Sequence, residues 1–353
     1  MFEDKQPELT PIAKLGEVGL IKHLTAHFPV NNTTTEVAVG DDAAVLNPEG
    51  KRMVVSTDLL AEGVHFNLGY VPLKHLGYKA VVVNLSDIAA MNATPSQILV
   101  SIAVSNRFPV EALEEIYEGI SLACNRYNVD LVGGDTTSSQ AGLIINITAI
   151  GFENEDKIVK RSGAKPNDLL VVSGDLGGAY MGLQILEREH AVFLANPNMQ
   201  PEMDGFDYIL ERQLKPEVRT DVKKILAEAD VLPTSMIDVS DGLASEILHL
   251  SDQGKVGFRL YEEKIPLDSQ MIAACDELNL NPTMAALSGG EDYELLFTIA
   301  PGDYEKIQNH PDFTVIGHVV EENEGNFMVL RGSNELSQLT SQGWDAFLSS
   351  QQD

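Results

Sequence analysis

Basic residues are scarce in this chain. Twenty-four Lys and Arg stand against 53 Asp and Glu, a formal net charge of −29 over 353 residues. That balance excludes a surface built for nucleic acid or anionic lipid, which needs the opposite sign. Cysteine is scarcer still. Cys124 and Cys275 are far apart and in no C-x-x-C pair, which excludes a disulfide framework and a thiolate zinc site. Their small number suits a reducing compartment, so a cytoplasmic location is expected. No apolar run approaches membrane-spanning length. The start, Met1-Phe2-Glu3-Asp4-Lys5, has neither a basic nor an apolar leader region, and no signal peptide is expected. Familiar catalytic signatures are missing too. There is no G-x-x-x-x-G-K-[ST], no G-x-G-x-x-G with H-R-D and D-F-G, and no G-x-S-x-G.

What is present is the composition of an ordinary globular protein, 44% hydrophobic and 22% charged. The length points to two domains, each able to bury a core. A helix through Leu15 and Leu24 is expected after a Thr10-Pro11 start. Short strands are expected at Glu36–Val39, Ala43–Leu46 and Met53–Ser56. Leu76, Ala80, Val83, Asp87 and Met91 recur at helical spacing from Pro72 onward. Gln97–Val104, Val129–Val132 and Leu143–Phe152 read as strands, and Val110–Asn125 reads as an amphipathic helix. The polar stretch Glu153–Asp168 carries Gly163 and Pro166, and the boundary is placed in it, giving domains 1–155 and 156–353. Beyond it, strands are expected at Asp168–Ser173, Thr234–Val239, Val256–Tyr261, Tyr293–Ile299, Phe313–Gly317 and Asn326–Leu330. Helices are expected after Gly178 and Gly242, and 191–216 reads as an irregular excursion or broken helix. Both halves are mixed α/β.

The unusual feature is the setting of the acids. Asp41 and Asp42 follow a strand and a glycine. Asp58 follows Ser56-Thr57, Asp135 follows Gly133-Gly134, Asp238 and Asp241 close a strand, and Glu291-Asp292 follow Ser288-Gly289-Gly290. Asp87 sits mid-helix beside Ser86. Taken singly, each acid has a plain alternative as a helix cap or a solvated charge. Taken together, they offer hard oxygen ligands without His or Cys, which suits Mg²⁺ better than Zn²⁺ or Cu²⁺. No EF-hand spacing occurs. An acidic cleft accepts a nucleotide only through bridging cations, the electrostatic basis of phosphoryl transfer. Gly133-Gly134, Gly177-Gly178 and Gly289-Gly290 are candidates for close backbone approach to phosphate, with simple turn geometry as the alternative. Arg161 and Lys165 bring cations to an acidic chain, either for phosphate or as a solvated linker. His65 is a candidate substrate donor or an ordinary satisfied histidine. Tyr117 falls on an apolar helical stripe, where packing is its plain role. Trp344, the single tryptophan, is a stacking candidate or a tail anchor. Asn84-Leu85-Ser86-Asp87 and Asp238-Val239-Ser240-Asp241 echo one another too briefly to make a repeat.

In order along the chain stand Gly40-Asp41-Asp42-Ala43-Ala44, Ser56-Thr57-Asp58 with Glu62-Gly63-Val64-His65-Phe66, and Asn84-Leu85-Ser86-Asp87-Ile88-Ala89-Ala90-Met91. Gly133-Gly134-Asp135-Thr136-Thr137, Arg161-Ser162-Gly163-Ala164-Lys165-Pro166, Asp238-Val239-Ser240-Asp241-Gly242-Leu243 and Ser288-Gly289-Gly290-Glu291-Asp292-Tyr293-Glu294-Leu295 follow. With these motifs the chain resembles the thiamine-monophosphate kinase family of the aminoimidazole ribonucleotide synthetase-like superfamily. The resemblance implies two α/β domains and a homodimer whose N-terminal sheets join into a barrel-like interface. It implies ATP as co-substrate, several Mg²⁺ ions, and direct in-line transfer to thiamine monophosphate, with no acid or base residue as catalyst. It assigns metal binding to Asp42, Ser56, Thr57, Asp58, Asp87, Asp135, Asp238 and Asp241. It assigns ATP contacts to Tyr117, Gly134, Asp135, Arg161 and Ser240, and substrate contacts to His65, Glu291 and Trp344. The chain departs from the family at Gln213-Leu214-Lys215-Pro216-Glu217-Val218-Arg219, where His-Leu-x-Pro-x-Pro-Arg is usual, and in a long Ala191–Gly205 segment.

Two rival readings remain at this level. One is a sister ATP-dependent enzyme of aminoimidazole ribonucleotide, selenophosphate or hydrogenase-maturation type. The last two commonly use a terminal cysteine that this sequence lacks. The other is a non-catalytic acidic cation-binding protein, which leaves the Gly/Ser/Thr setting of the acids unexplained.

Overall fold

The structure, a computed structural model, describes residues 9–39 and 44–340, with residues 16–18 described by their backbone only. Asp41, Asp42 and Trp344 therefore lie outside the described residues. The chain divides into two compact units, 1–84 with 95–152, and 85–94 with 153–353.

The first unit holds α1 (Gly16–Thr25), β1 (Thr35–Val37), β2 (Val45–Leu46), β3 (Arg52–Ala61), most of α2 (Leu73–Ala90), β4 (Thr94–Val104), α3 (Val110–Tyr127), β5 (Asp130–Ser138) and β6 (Ile144–Glu153). Its main sheet has the order β3-β6-β4-β5, and β1 pairs with β2 alone. Among the described residues this sheet is open, with β3 and β5 at its edges. Helix α3 buries Val110, Leu113, Ile116, Tyr117, Ile120 and Cys124, the three-and-four spacing of one helical face. Each such side chain removed from water contributes about 1.5–3 kcal/mol. Asp130, fully buried, is satisfied by the amides of Asn31 and Asn32 and by Thr35 Oγ1 at 2.6–3.0 Å. That acid ties the N-terminal segment to β5 and is structural.

The expected Thr10-Pro11 helix start is replaced by a 3₁₀ turn at Ile12–Lys14, because the Thr10 amide is held by the Glu111 carboxylate at 2.9 Å. Two strands run further than their apolar cores suggest. β3 extends to Ala61 and β5 to Ser138, so Asp58 and Asp135 lie within strands rather than after them. Interstrand hydrogen bonds carry both strands through the polar residues.

The second unit holds β7 (Leu169–Ser173), α4 (Gly178–Ala195), α5 (Asp207–Leu214), α6 (Thr220–Glu228), β8 (Ser235–Asp238), α7 (Leu243–Gly254), β9 (Gly257–Tyr261), α8 (Ser269–Leu278), α9 (Pro282–Ser288), β10 (Leu295–Ile299), α10 (Tyr304–Ile307), β11 (Phe313–Val320), β12 (Asn326–Val329) and β13 (Leu336–Gln338). Its sheet has the order β13-β12-β9-β11-β7-β10-β8, antiparallel except for β12 with β9. Alternate residues of one strand enter different cores. Leu170, Val172, Ile237 and Leu296 pack with Leu243, Ile247 and Leu250 of α7. Val171, Met236, Leu295 and Phe297 pack with Val222 and Leu226 of α6. Burial on both faces explains why these strands read as continuous apolar runs. The expected excursion at 191–216 resolves into the end of α4, a loop, and α5, whose Ile209 joins Met181, Ile185 and Cys275 in a third core.

Candidate active site

The second unit gathers its candidate residues at the end of β8. Asp238 is the last residue of that edge strand, and Ser240-Asp241 form the turn into α7. Asp238 is 3% exposed, and Ser86 of α2 donates a 2.6 Å hydrogen bond to its Oδ2. Burial first, and then the neighbouring Asp87 charge, push the Asp238 carboxyl well above its ordinary range. Asp241 is also raised by burial, with His249 and Arg161 opposing and Glu291 adding to the rise. Glu246, on the first turn of α7, accepts the Asp241 amide at 3.0 Å and is pushed up to about 7 by burial.

Arg161 reaches this place by a backbone route. The Met236 amide of β8 bonds the Lys160 carbonyl at 3.1 Å, so the segment before Arg161 lies along the outer edge of β8. Arg161 is exposed, and its charge acts on both Asp241 and Glu246.

The loop after α9 closes the site. The Glu291 amide donates to the Ser240 carbonyl at 2.7 Å, and the Tyr293 amide to the Val239 carbonyl at 2.9 Å. Gly290, Glu291 and Tyr293 all have positive φ, 73°, 59° and 51°. For Glu291 and Tyr293 this left-handed backbone is a local strain. At Gly290 a Cβ would meet the Ser240 carbonyl oxygen at 2.5 Å, so only glycine lets the loop come this close. The Glu291 carboxylate accepts a 2.9 Å bond from buried Gln213 of α5.

Gly177-Gly178 does not serve as a phosphate cradle. The N-terminus of α4 is already taken by the Asp292 carboxylate, which accepts from the Gly177 amide at 2.7 Å and the Ala179 amide at 3.2 Å. Arg212 and Arg219 both bind Glu294, which Ser173 also donates to, so these two guanidiniums are already partnered within the second unit.

In the first unit, period-two alternation puts Ser56 and Asp58 on the half-buried face of β3 and Thr57 on the exposed face. Thr57 Oγ1 bonds the Ile147 carbonyl at 3.0 Å. The Asp58 amide is fixed by Asn84 Oδ1 at 2.8 Å, and Asn84 itself is anchored on the Ala80 carbonyl. Gly134 and Asp135 lie in β5, paired in parallel with Val100 and Ser101 of β4. A Cβ on Gly134 would fall 1.8 Å from the Val100 carbonyl oxygen. His65 is exposed, and its Nδ1 accepts the Ala61 amide at 3.1 Å. Tyr117 is buried edge-on to Phe28, its hydroxyl pushed up to about 12 by burial.

Among the described residues no cluster of three or more His, Cys, Asp or Glu side chains is arranged to hold a metal. The donor chemistry of Asp87 and Asp238 nevertheless fits a hard divalent cation: Ser86 bonds Asp238, and the next residue, Asp87, brings a second carboxyl whose charge acts on it. Sequence reasoning missed Asn84 and Glu246 as individual residues. Asn84 lay inside a recognised motif. Glu246 stands one residue further along the helix than a capping box would place it, and that offset hides it.

Residues 40–152 match the family model described as AIR synthase related protein, N-terminal domain. Residues 165–330 match AIR synthase related protein, C-terminal domain. The thiamine-monophosphate kinase of Bacillus subtilis (strain 168) is 32% identical over 94% of this chain and all of its own length. The chain belongs to the thiamine-monophosphate kinase family. A solved structure of such a kinase, AaThiL complexed with AMPPCP and TMP, is 30% identical, with a TM-score of 0.72 covering 97% of this chain and 99% of that one. Hydrogenase maturation protein HypE, solved in complex with ATP, shares the fold at a TM-score of 0.70, with 18% identity over 91% of this chain and 94% of its own. At that identity the likeness to HypE concerns architecture alone.

Proposed function

We propose that this chain transfers the γ-phosphoryl group of ATP to thiamine monophosphate, forming thiamine diphosphate and ADP, the last step in making that diphosphate. A phosphate oxygen of the acceptor bonds to the γ-phosphorus as the bond to the β-bridging oxygen breaks. The acceptor is already an anion, so no strong general base is required. The observation that carries the reading is the Asp87–Asp238 pair beside the Ser240-Asp241 turn. Its charges are unfavourable in an empty protein and favourable around a divalent cation.

Mg²⁺, when bound, supplies neutralisation of phosphate charge. In the second unit Asp87, Asp238 and Asp241 are the proposed ligands. In the first they are Asp42, Ser56, Thr57, Asp58 and Asp135, with Thr57 contributing through its main chain because its side chain faces away from Ser56 and Asp58. Arg161 is proposed to pair with phosphate through its planar fork. Ser240, Gly134, Asp135 and Tyr117 are the other proposed ATP contacts, Tyr117 from a buried position. His65, Glu291 and Trp344 are proposed for the thiamine moiety. Glu291 is well suited to a cationic or amine-bearing ring, because Gln213 fixes its carboxylate.

A homodimer joined through the first unit's sheet belongs to the same reading. β3 is an edge strand with Met53, Val55 and Leu59 about half exposed on one face, a surface that a second copy would cover in a barrel-like interface. A cytoplasmic location fits the two free thiols. Among the described residues no helix is long and apolar enough to cross a membrane.

An ADP-release assay with ATP and Mg²⁺ tests the reading. Thiamine monophosphate, thiamine and aminoimidazole-pathway substrates are compared side by side. ADP and thiamine diphosphate are expected with the monophosphate alone, and lost with EDTA. ADP with a different acceptor would move the function to a sister enzyme.

A further inference from the structure

We infer that Glu246 is a positioning residue for the nucleotide, holding the Ser240-Asp241 turn in the orientation that presents both residues to a metal-bound polyphosphate. The inference rests on the proposed kinase reading.

Glu246 is 2% exposed and sits on the first turn of α7. Its Oε1 accepts the Asp241 amide at 3.0 Å and lies 3.4 Å from Ser240 Oγ. Ordinary helix capping does not account for this. α7 begins at Leu243 with Gly242 as its cap, and a capping-box acid would stand at the third helical position and bind the amide of the cap residue itself. Glu246 instead reaches back past the cap to an amide outside the helix.

The turn is gripped from two directions. The Glu291 amide holds the Ser240 carbonyl, and Glu246 holds the next amide, that of Asp241. One peptide unit thus has both its polar groups fixed by residues from different elements. On charge alone another buried acid here is unfavourable, since Glu246 adds to the repulsion on Asp238 and receives it from Asp241. Its hydrogen bonds to the turn are what offset that burden. The length of the side chain is therefore decisive and its charge is not.

Full-length Glu246→Gln, Glu246→Asp and Glu246→Ala are compared by thermal shift titrated with Mg²⁺ and AMPPCP, and by separate KM values for ATP and thiamine monophosphate. Glutamine keeps an acceptor at the same reach, and its nucleotide affinity is expected within about threefold of the parent. Aspartate and alanine lose the bond and should weaken nucleotide binding by about tenfold, the upper worth of one ordinary hydrogen bond. The KM for thiamine monophosphate should move less than about twofold. Parental nucleotide affinity in Glu246→Asp, equal rises in both KM values, or a glutamine variant as weak as the aspartate one would each overturn the inference. Should Glu246→Ala fail to fold by circular dichroism, the Gln and Asp pair still decides. A parent that binds Mg²⁺ and AMPPCP yet makes no ADP with thiamine monophosphate would refute the acceptor, while the nucleotide titration would still judge Glu246.

Discussion

Ser86 Oγ stands 2.6 Å from Oδ2 of Asp238, bridging 152 positions of sequence to hold a buried carboxylate beside a second acid. A buried hydrogen bond contributes about 0.5–1.5 kcal/mol, and up to about 3 kcal/mol where the acceptor is charged. Ser86→Ala should therefore lower stability by roughly that amount in urea unfolding, with an unchanged dependence on denaturant concentration. A loss below about 0.5 kcal/mol would show that the bond matters little.

Asp87→Asn should separate stability from function. Removing the like charge beside Asp238 relieves repulsion on the order of 1 kcal/mol in metal-free protein, so its melting temperature should rise by a few degrees. ADP production should fall to background because a proposed metal ligand is gone. A variant that keeps full activity would refute the metal assignment.

Gly290→Ala places a methyl group 2.5 Å from the Ser240 carbonyl at a positive φ. We expect a loss of about 1–3 kcal/mol and weakened nucleotide binding. Gly302→Ala, with open space around its Cβ, is the matched control and should change neither quantity.

Both thiols are buried and free, with burial pushing Cys124 up to about 12 and Cys275 up to about 11. A thiol raised this far is protonated across the neutral range, and thiolate appears only as pH climbs toward those values. Native protein at pH 8 should resist iodoacetamide for hours, while protein unfolded in urea should be alkylated at both cysteines within minutes, read by mass spectrometry. Fast native labelling would contradict the burial.

Val55→Lys and Leu59→Lys test the proposed dimer. Each puts a charge on the exposed apolar face of the edge strand β3. Light scattering should report a monomer for the double variant and a dimer for the parent.

Much of this architecture was legible because apolar periodicity is local. The β7, β8 and β10 runs announced themselves, as did the α3 stripe from Val110 to Cys124. Strand ends were not legible. β3 and β5 continue through Thr57, Asp58 and Asp135 because neighbouring strands pair with them, a nonlocal cause that residue type does not reveal. The similar fragments at Asn84 and Asp238 looked like a chance echo, yet their Ser86 and Asp238 are hydrogen-bonded partners. Motif residues could be named from sequence. The residues that hold them, such as Asn84 under Asp58 and Glu246 under Asp241, became visible only with coordinates.

The β8–β10 ladder does not stop where the strands stop. It continues through the Val239 amide to the Glu294 carbonyl, the Tyr293 amide to Val239, and the Glu291 amide to Ser240. The loop is thus stitched to the sheet as if it were more strand. Inactivation and global unfolding should accordingly coincide in denaturant, and the Glu291 and Tyr293 amides should exchange with solvent as slowly as those of β10 itself. In this protein the candidate site of the second unit has no softness of its own to give up first.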